Sequence, residues 1–589
     1  MNYIASASDQ VRNLILEALG RLVADSSIPA EALPDFTVEI PADRAHGDFA
    51  ANIAMVCAKP LRMPPRKIAE LIQSALILDG SPFDKIEIAG PGFMNFYLGQ
   101  RWYEDVVRGI AAEQEQYGKT DSGAGKRVLV EFVSANPTGP MHVGNARGGA
   151  IGDCLASVLQ AAGYETEREF YINDAGNQIE KFGKSLSLRY MQICSDAGQA
   201  VLKAVPDTEE FCRTVYGEDG KSGDFPMPED VYLGQDIIAH ARNYYDLNGS
   251  ALKDLPDEER RKALVEFALP KNIAGLEHDL CQYRIKYDTW FPESKLHADG
   301  SVQKIIQQLK NSGYTYESDG ALWFKAQELG ADKDFVIVRS NGIPTYVVPD
   351  IAYHYNKLVT RGFDRAIDIL GADHHGYVPR LKAALTALGV DASRLTVVLM
   401  QMVAVMRDGK PVKQSKRSGK ALTLVTLLED IPVDAARFFF NLREANSHFE
   451  FDLDLAVEKS SSNPVYYVQY AHARICSLIQ NLSDSGFAVP AADSAALELL
   501  DSTAERVLIR QLAMLPAEID TAANQLDPSR LTKYSVDLAA CFHKFYDACK
   551  VRDAESEPLR DARLMLCEVT RQVLSNVLNM LKVTAPVKM

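Results

Sequence analysis

Residues 128–162 read VLVEFVSANPTGPMHVGNARGGAIGDCLASVLQAA. Val128 to Val133 is a short apolar strand interrupted only by Glu131. Ile151, Leu155, Val158 and Leu159 then recur at helical spacing, which predicts a helix over Ala150 to Ala162, with Gly163 as its C-terminal stop. Between them lies a loop with Pro137, Gly139, Pro140 and Gly144, a composition that fixes an unusual backbone. Glu169 to Ile172 reads as a second strand. A strand, a glycine-rich turn, a helix and a strand make the opening of a doubly wound α/β sheet, which binds nucleotides at such turns. In this loop His142 and Asn145 would point donors at a phosphate bound there.

Working outward, strand signals return at Phe335 to Val338, Thr345 to Val348, Ala366 to Leu370 and Leu395 to Val405. They suggest one sheet whose second half follows an insertion. The insertion, at about 190–310, is acidic, rich in short polar stretches and mostly helical by pattern. Upstream, helical spacing over Val11 to Leu22 and Arg66 to Ile77, with strands at Lys85 to Ile88 and Phe93 to Leu98, describes an α+β unit. The run YGKTDSGAGK from Tyr117 to Lys126 reads as a linker. Its Gly118-Lys119-Thr120 mimics the end of a phosphate loop, but position 113, where that motif needs glycine, is Glu113. From about 457 the pattern is helical only. Asn463 and Pro464 supply an N-cap and a first helical residue, and Ala504 to Leu515, Ser529 to Cys549 and Leu559 to Leu581 continue an α-bundle. The expected architecture is a multidomain α/β protein: an N-terminal α+β domain at 1–115, a Rossmann-type domain with a helical insertion at 116–456, and an all-α bundle at 457–589.

The chain has 589 residues, 63 basic against 79 acidic, a net charge of −16. That excludes a bulk nucleic-acid coat but permits an enzyme with local basic patches. With 47% apolar and 24% charged residues the chain is globular in composition. No apolar run approaches the ~20 residues of a membrane helix, and no leader pattern opens the chain. Nine dispersed cysteines without a CxxC pair read as reduced thiols, so neither zinc nor a disulfide framework is expected. These features suggest a cytoplasmic protein.

Far downstream of His142, after the last strand, stands Lys413-Gln414-Ser415-Lys416-Arg417-Ser418-Gly419-Lys420. Alone it is a solvated basic loop. Together with the His142 loop it resembles the paired signatures of class I aminoacyl-tRNA synthetases. SANPTGPMHVGNARGGAIGD, FYINDAGNQI, IPTYVVPDIAYH, GADHHGYVPR and NPVYYVQYAHAR narrow the resemblance to the arginyl-tRNA synthetases of bacterial type, and HGDFAANIAM and IAGPGFMNFYL resemble that family's extra N-terminal domain. Other readings of the same chain are a different adenylyl transferase on this fold, and a degenerate relative that only binds RNA.

The resemblance implies activation of L-arginine by ATP with Mg²⁺, then transfer of arginine to the terminal ribose of tRNA(Arg), by a monomer. His142, Asn145, Lys413 and Lys416 would be catalytic. ATP would sit on Pro137, Thr138, Gly139, His142, Gly144, Asn145, Gly371, Asp373, His375, Ser415 and Lys416. Arginine would meet Glu131, Asn136, Tyr346 and Asp350, because a carboxylate matches a guanidinium fork in charge and shape. For Glu131 a salt bridge to a core arginine is the alternative; for Asp350 it is a helix N-cap. The tRNA would touch Phe93 and Asn95 in the N-terminal domain, and Tyr466, Tyr470, His472, Arg474 and Met589 at the other end. The chain departs from the family at Asn145, where a histidine is usual, and at Gln414, where methionine is. Asp373-His374-His375 invites a metal reading, but no third ligand group stands nearby in sequence.

Overall fold

A computed structural model of the protein describes residues 1–29, 34–206, 210, 228, 230–412 and 422–589. They form two compact units. One joins Ala124–Gln160 to Tyr164–Glu458; the other joins Met1–Gly123 and Ala161–Gly163 to Lys459–Met589.

The central unit is built on five parallel strands: β1 (Arg127–Glu131), β2 (Glu165–Ile172), β3 (Thr289–Pro292), β4 (Arg365–Gly371) and β5 (Leu395–Met400), in the order β5-β4-β1-β2-β3. Val128, Leu129 and Val130 are wholly buried, as a central parallel strand covered on both faces requires. Helix α1 (Val143–Ala161) connects β1 to β2. It packs closely because Gly152 has no side chain: a Cβ there would stand 2.2 Å from the Phe132 ring. The strand order reverses between β1 and β4, and ligands of such sheets bind beyond the carboxyl ends at that switch point.

Two excursions interrupt the sheet. Helices Asn177–Ile193, Gln235–Asn248 and Asp257–Gln282 lie between β2 and β3 and enclose their own core around Phe182, Leu186, Ile237 and Leu264. The helical insertion expected at about 190–310 therefore ends earlier, since β3 falls inside that range; the four residues TWFP are too short to show a period. The second excursion holds a three-stranded antiparallel sheet of Thr315–Ser318, Ala321–Phe324 and Phe335–Val338. Phe335 to Val338 thus leaves the main sheet. Thr345 to Val348 is not a strand either: Tyr346 caps helix α2 (Val347–Tyr355). Leu395 to Val405 divides into β5 and a separate strand, Val403–Arg407, paired with Phe449–Asp452.

In the other unit, helices Tyr3–Ala24 and Pro65–Ala75 accompany a four-stranded antiparallel sheet. The C-terminal helices are Pro464–Asp484, Thr503–Ala513, Leu515–Gln525, Ser529–Ala548 and Glu557–Met580. Asn463 caps the first of them, its side chain accepting from the Val465 N–H at 3.2 Å. Gln100 donates to the carbonyls of Leu497 and Leu500 at 3.2 Å, and Arg510 pairs with Asp48, so the two ends of the chain share this unit. Tyr117, read as linker, is buried and donates to the Leu512 carbonyl at 3.0 Å. Among the described residues no helix is long and apolar enough to cross a membrane.

Candidate active site

The loop after β1 begins with strain. Val133 and Ser134 adopt left-handed backbone, φ 70° and 42°. A β-branched residue there is an outlier, and such conformations cost of order 1–3 kcal/mol each unless the surroundings hold them. Here they do. The Ser134 hydroxyl donates to Glu131 Oε1 at 2.7 Å and accepts from the Tyr171 N–H at 3.2 Å. From the insertion, the Asn272 amide donates to the Pro137 carbonyl at 2.9 Å.

His142 directly precedes α1, so the loop delivers it to a helix N-terminus, a ready anion site. The Asn145 N–H donates to the His142 carbonyl at 2.8 Å, and the His142 N–H donates back to Asn145 Oδ1 at 3.2 Å. This reciprocal closure employs the Asn145 oxygen and keeps its amide group as the donor end. The His142 side chain is exposed; Asn145, Gly144, Thr138 and Gly139 are partly so, and Pro137 is buried.

Lys413, Ser415 and Lys416 lie outside the described residues. The chain on their far side returns to the His142 loop: the Val143 N–H donates to the Leu422 carbonyl at 3.0 Å, and the Leu424 N–H to the Met141 carbonyl at 2.9 Å. His142 and Thr423 pair as an antiparallel bridge. The two signatures, remote in sequence, are thus stitched at their flanks. Arg147, wholly buried in α1, donates to the Gln401 carbonyl at 2.8 Å, which ties α1 to the end of β5. Gly371 ends β4 on the other side of the switch point, followed by exposed Asp373 and His375.

Beside this edge three acids align across the sheet. Asp368 of β4 lies in register with Glu131 of β1, and Glu131 with Glu169 of β2; all three are buried. Like charges placed opposite one another are destabilising. The cations that answer them come from α2, from the π-helical turn Asn356–Thr360 that follows it, and from Arg361 at the end of that turn. The Lys357 ammonium, wholly buried, donates to Glu131 Oε2 at 2.5 Å and to Asp368 Oδ1 at 2.8 Å. His354 Nε2 reaches Asp368 Oδ2 at 2.6 Å. Arg361 and the Tyr353 hydroxyl both donate to Glu169, at 2.5 and 2.6 Å. Glu131 is therefore ion-paired, to a lysine rather than an arginine. The trio Glu131, His354 and Asp368 has the spacing of a metal site, but the Lys357 ammonium bonds two of its members, and a resident cation does not fit.

Asp350 is on the same helix, one turn before His354, whose Nδ1 lies 3.1 Å from Asp350 Oδ1. It is inside α2, not its cap. Its side chain keeps 30% of its surface open, against 8% for Glu131. Burial pushes the Asp350 carboxyl up, but the His354 charge and hydrogen bond outweigh it and hold it below its ordinary value. Tyr346 is widely exposed, its ring 6.5 Å from that of Tyr377. Asn136 is exposed and stands 3.3 Å from the Asn173 amide.

The candidate RNA contacts are divided. On helix Pro464–Asp484, Tyr466 and Tyr470 stack at 6.2 Å, and Arg474 lies over Tyr470. His543 and Tyr546 of helix Ser529–Ala548 extend this face: His543 stacks on Tyr470 at 5.9 Å, and Arg474 sits 4.1 Å from the Tyr546 ring centre. Phe93 and Met589 are exposed. Asn95 and His472 are each 3% exposed, so neither offers a surface to RNA as placed. Asn95 faces inward on a central strand, and His472 Nδ1 bonds the Pro586 carbonyl at 2.9 Å.

Sequence reading missed His354, Lys357 and Asp368. Their signal was present: an acid inside the apolar run AIDIL and two cations three residues apart in HYNK, each too expensive to bury unpaired.

Residues 106–481 match the family described as tRNA synthetases class I (R), catalytic domain. Residues 9–98 match the arginyl tRNA synthetase N terminal domain, and 468–589 the DALR anticodon binding domain. The arginine–tRNA ligase of Acetivibrio thermocellus is 48% identical over 588 residues, covering 100% of both chains, and that of Caldanaerobacter subterraneus is 49% identical with the same coverage. A crystal structure titled as a putative arginyl-tRNA synthetase from Campylobacter jejuni superposes with a TM-score of 0.71 at 30% identity, over 84% of this chain and 100% of that one. The Thermus thermophilus arginyl-tRNA synthetase, at 22% identity, shares the fold with a TM-score of 0.68 over 98% and 99% of the two chains. The chain belongs to the arginyl-tRNA synthetases, the class I ligases that join arginine to tRNA at the expense of ATP.

Proposed function

We propose that the carboxyl edge of the sheet divides the reaction between two sides of the switch point. On one, arginine lays its guanidinium against Asp350, with Tyr346 and Asn136 at the rim and Glu131 beneath. On the other, ATP binds along Pro137–Asn145 and Gly371–His375. The arginine carboxylate attacks the α-phosphorus, the bond to the β-phosphate bridging oxygen breaks, and pyrophosphate leaves. His142, the Asn145 amide, Lys413 and Lys416 stabilise the charge that builds on the phosphates. Mg²⁺ arrives on ATP. The tRNA's terminal ribose hydroxyl then attacks the arginyl carbonyl and AMP departs.

The observation that supports this most is the pairing of Met141–Val143 with Leu422–Leu424, which brings the flanks of both signatures to one edge. The same reading assigns residues 1–115 and 457–589 to tRNA, with Tyr466, Tyr470 and Arg474 stacking on unpaired bases, and takes the enzyme as a cytoplasmic monomer. Exchange of pyrophosphate into ATP tests it. Exchange is expected with L-arginine and the cognate tRNA present together. Exchange with a different amino acid overturns the substrate reading, and robust exchange without tRNA counts against it.

A further inference from the structure

The arginine side of the site holds a charge arrangement that goes deeper than the residues in contact with substrate. Across β4, β1 and β2 the buried acids Asp368, Glu131 and Glu169 stand in register, and three cations from one continuous segment, His354, Lys357 and Arg361, are bonded to them. Glu167, nearer the surface, shares Arg361. Three buried acids thus meet three cations, with Glu167 as a fourth acid on Arg361. Asp350 is one acid more, and it shares His354 with Asp368.

We propose that His354 is a positioning and specificity-determining residue for the amino-acid substrate: doubly protonated, it bridges Asp350 to Asp368, so that the open carboxylate of Asp350 is held in place and keeps its negative charge toward the pocket. The inference rests on the assignment of Asp350 to arginine binding. A guanidinium carries one fixed positive charge, and a neutral side chain carries none. A pocket whose open carboxylate holds a fixed negative charge favours the first and is poor for the second.

The geometry requires both imidazole nitrogens to serve as donors. Nε2 faces a carboxylate oxygen at 2.6 Å, and Nδ1 faces two oxygens of Asp350, its carbonyl at 2.8 Å and Oδ1 at 3.1 Å. A neutral imidazole has one N–H and would set a lone pair against an oxygen. The groups facing His354 are Asp350 and Lys357 on its own segment, Asp368 of β4 and Glu131 of β1; the Tyr353 ring lies 5.5 Å away. Burial and Lys357 act to lower its pKa, but Asp350 and Asp368 prevail, and it is pushed up to about 10. Through the neutral range its charge is constant.

The test uses the full-length enzyme. His354→Gln keeps a hydrogen-bonding side chain and removes the charge. Its KM for arginine should rise at least tenfold at pH 7.5, with KM for ATP within twofold of the parent. The acids left with too few cations should now take up a proton near neutrality. Arginine KM in the variant should therefore climb several-fold as pH falls from 8.5 to 6.5, while the parent stays flat. An arginine KM within twofold and flat with pH, or equal losses toward arginine, ATP and tRNA, overturns the proposal. A measurement on the parent enzyme covers the case in which the variant does not fold. With ¹⁵N-labelled histidine, one of the 11 histidines should keep the shifts of an imidazolium at pH 9. If all of them are neutral at that pH, His354 is not the bridge described. If the parent lacks arginine-dependent exchange, the functional reading fails instead, and the histidine measurement still decides the protonation state.

Discussion

The two sides of the catalytic edge are built on opposite plans. Where arginine is proposed to bind, the wall is a buried ion network: Lys357 is wholly enclosed between two carboxylates, and Asp368 and Glu169 are almost without surface. Where the phosphates are proposed to bind, the wall is a partly exposed loop held by backbone bonds, with His142 at its helix end and Val133 and Ser134 strained at its start. The difference follows from the charges to be met. The guanidinium's charge is fixed before and after reaction, so a permanent countercharge suits it. The phosphate charge moves during the reaction, and donors useful for it must be stronger partners of the transition state than of ATP.

The sharpest way to break this contrast is through stability. Lys357→Met leaves two buried carboxylates facing each other in register. Removing one partner of a buried pair costs about 3–5 kcal/mol, and here one cation serves two acids, so the upper part of that range is expected. His142→Ala, which trims an exposed side chain where the loop meets α1, should change stability by less than about 0.5 kcal/mol. Urea unfolding of both variants makes the comparison; similar losses would mean that the loop, too, is a structural keystone.

Kinetics should divide along the same line. Asp350→Asn keeps the shape and removes the charge, and should weaken arginine binding by about 2–5 kcal/mol while leaving KM for ATP nearly unchanged. Lys416→Ala should instead lower kcat roughly 10²–10³-fold, about 2.7–4 kcal/mol of transition-state stabilisation, with a smaller effect on either KM. Steady-state parameters for both substrates in the two variants sharpen the assignment; an arginine KM effect from Lys416→Ala, or an intact one in Asp350→Asn, would blur it.

The two sides also differed in how far the sequence disclosed them. The loop was legible because its chemistry is local: prolines, glycines, His142 and Asn145 fall within a few residues between a readable strand and helix. The acid row was not. Glu131 stood out as a charge in an apolar strand, but its neighbours in register, Asp368 and Glu169, are set by strand order, and no linear pattern contains that order. Lys357 lies in the π-helical turn that follows α2, an irregularity without a compositional mark. Similarly, Thr345 to Val348 reads as a strand from its β-branched residues, and the helix that begins there prevails through burial of Val347, Val348 and Ile351 against the core that includes Phe335 and Ile337. Asn463 as a cap and Gly163 as a stop were legible for the same reason as the loop: each acts on its own neighbours.

The smallest effect is expected at Asn145, where two roles share one side chain. Its oxygen braces the loop by accepting the His142 N–H; its amide is the group available to a phosphate oxygen. Three substitutions separate them. Asn145→Ala removes both, at about 0.5–1.5 kcal/mol for a neutral hydrogen bond and 1.5–3 for one to a charged partner, so activation should slow by roughly one to two orders of magnitude. Asn145→Asp keeps the brace and even favours the fold, since a carboxylate in the first turn complements the helix dipole. It also places a negative charge where the phosphates are proposed to sit. This variant should therefore be as stable as the parent or more so, and yet slower than Asn145→Ala. Asn145→His restores a donor and should retain most activity. The opposite movement of stability and rate in Asn145→Asp, read from thermal unfolding and pyrophosphate exchange on the same sample, is the outcome a mere turn residue would not give. A fully active Asn145→Asp would leave Asn145 as a brace alone, and His142 as the donor on this side of the edge.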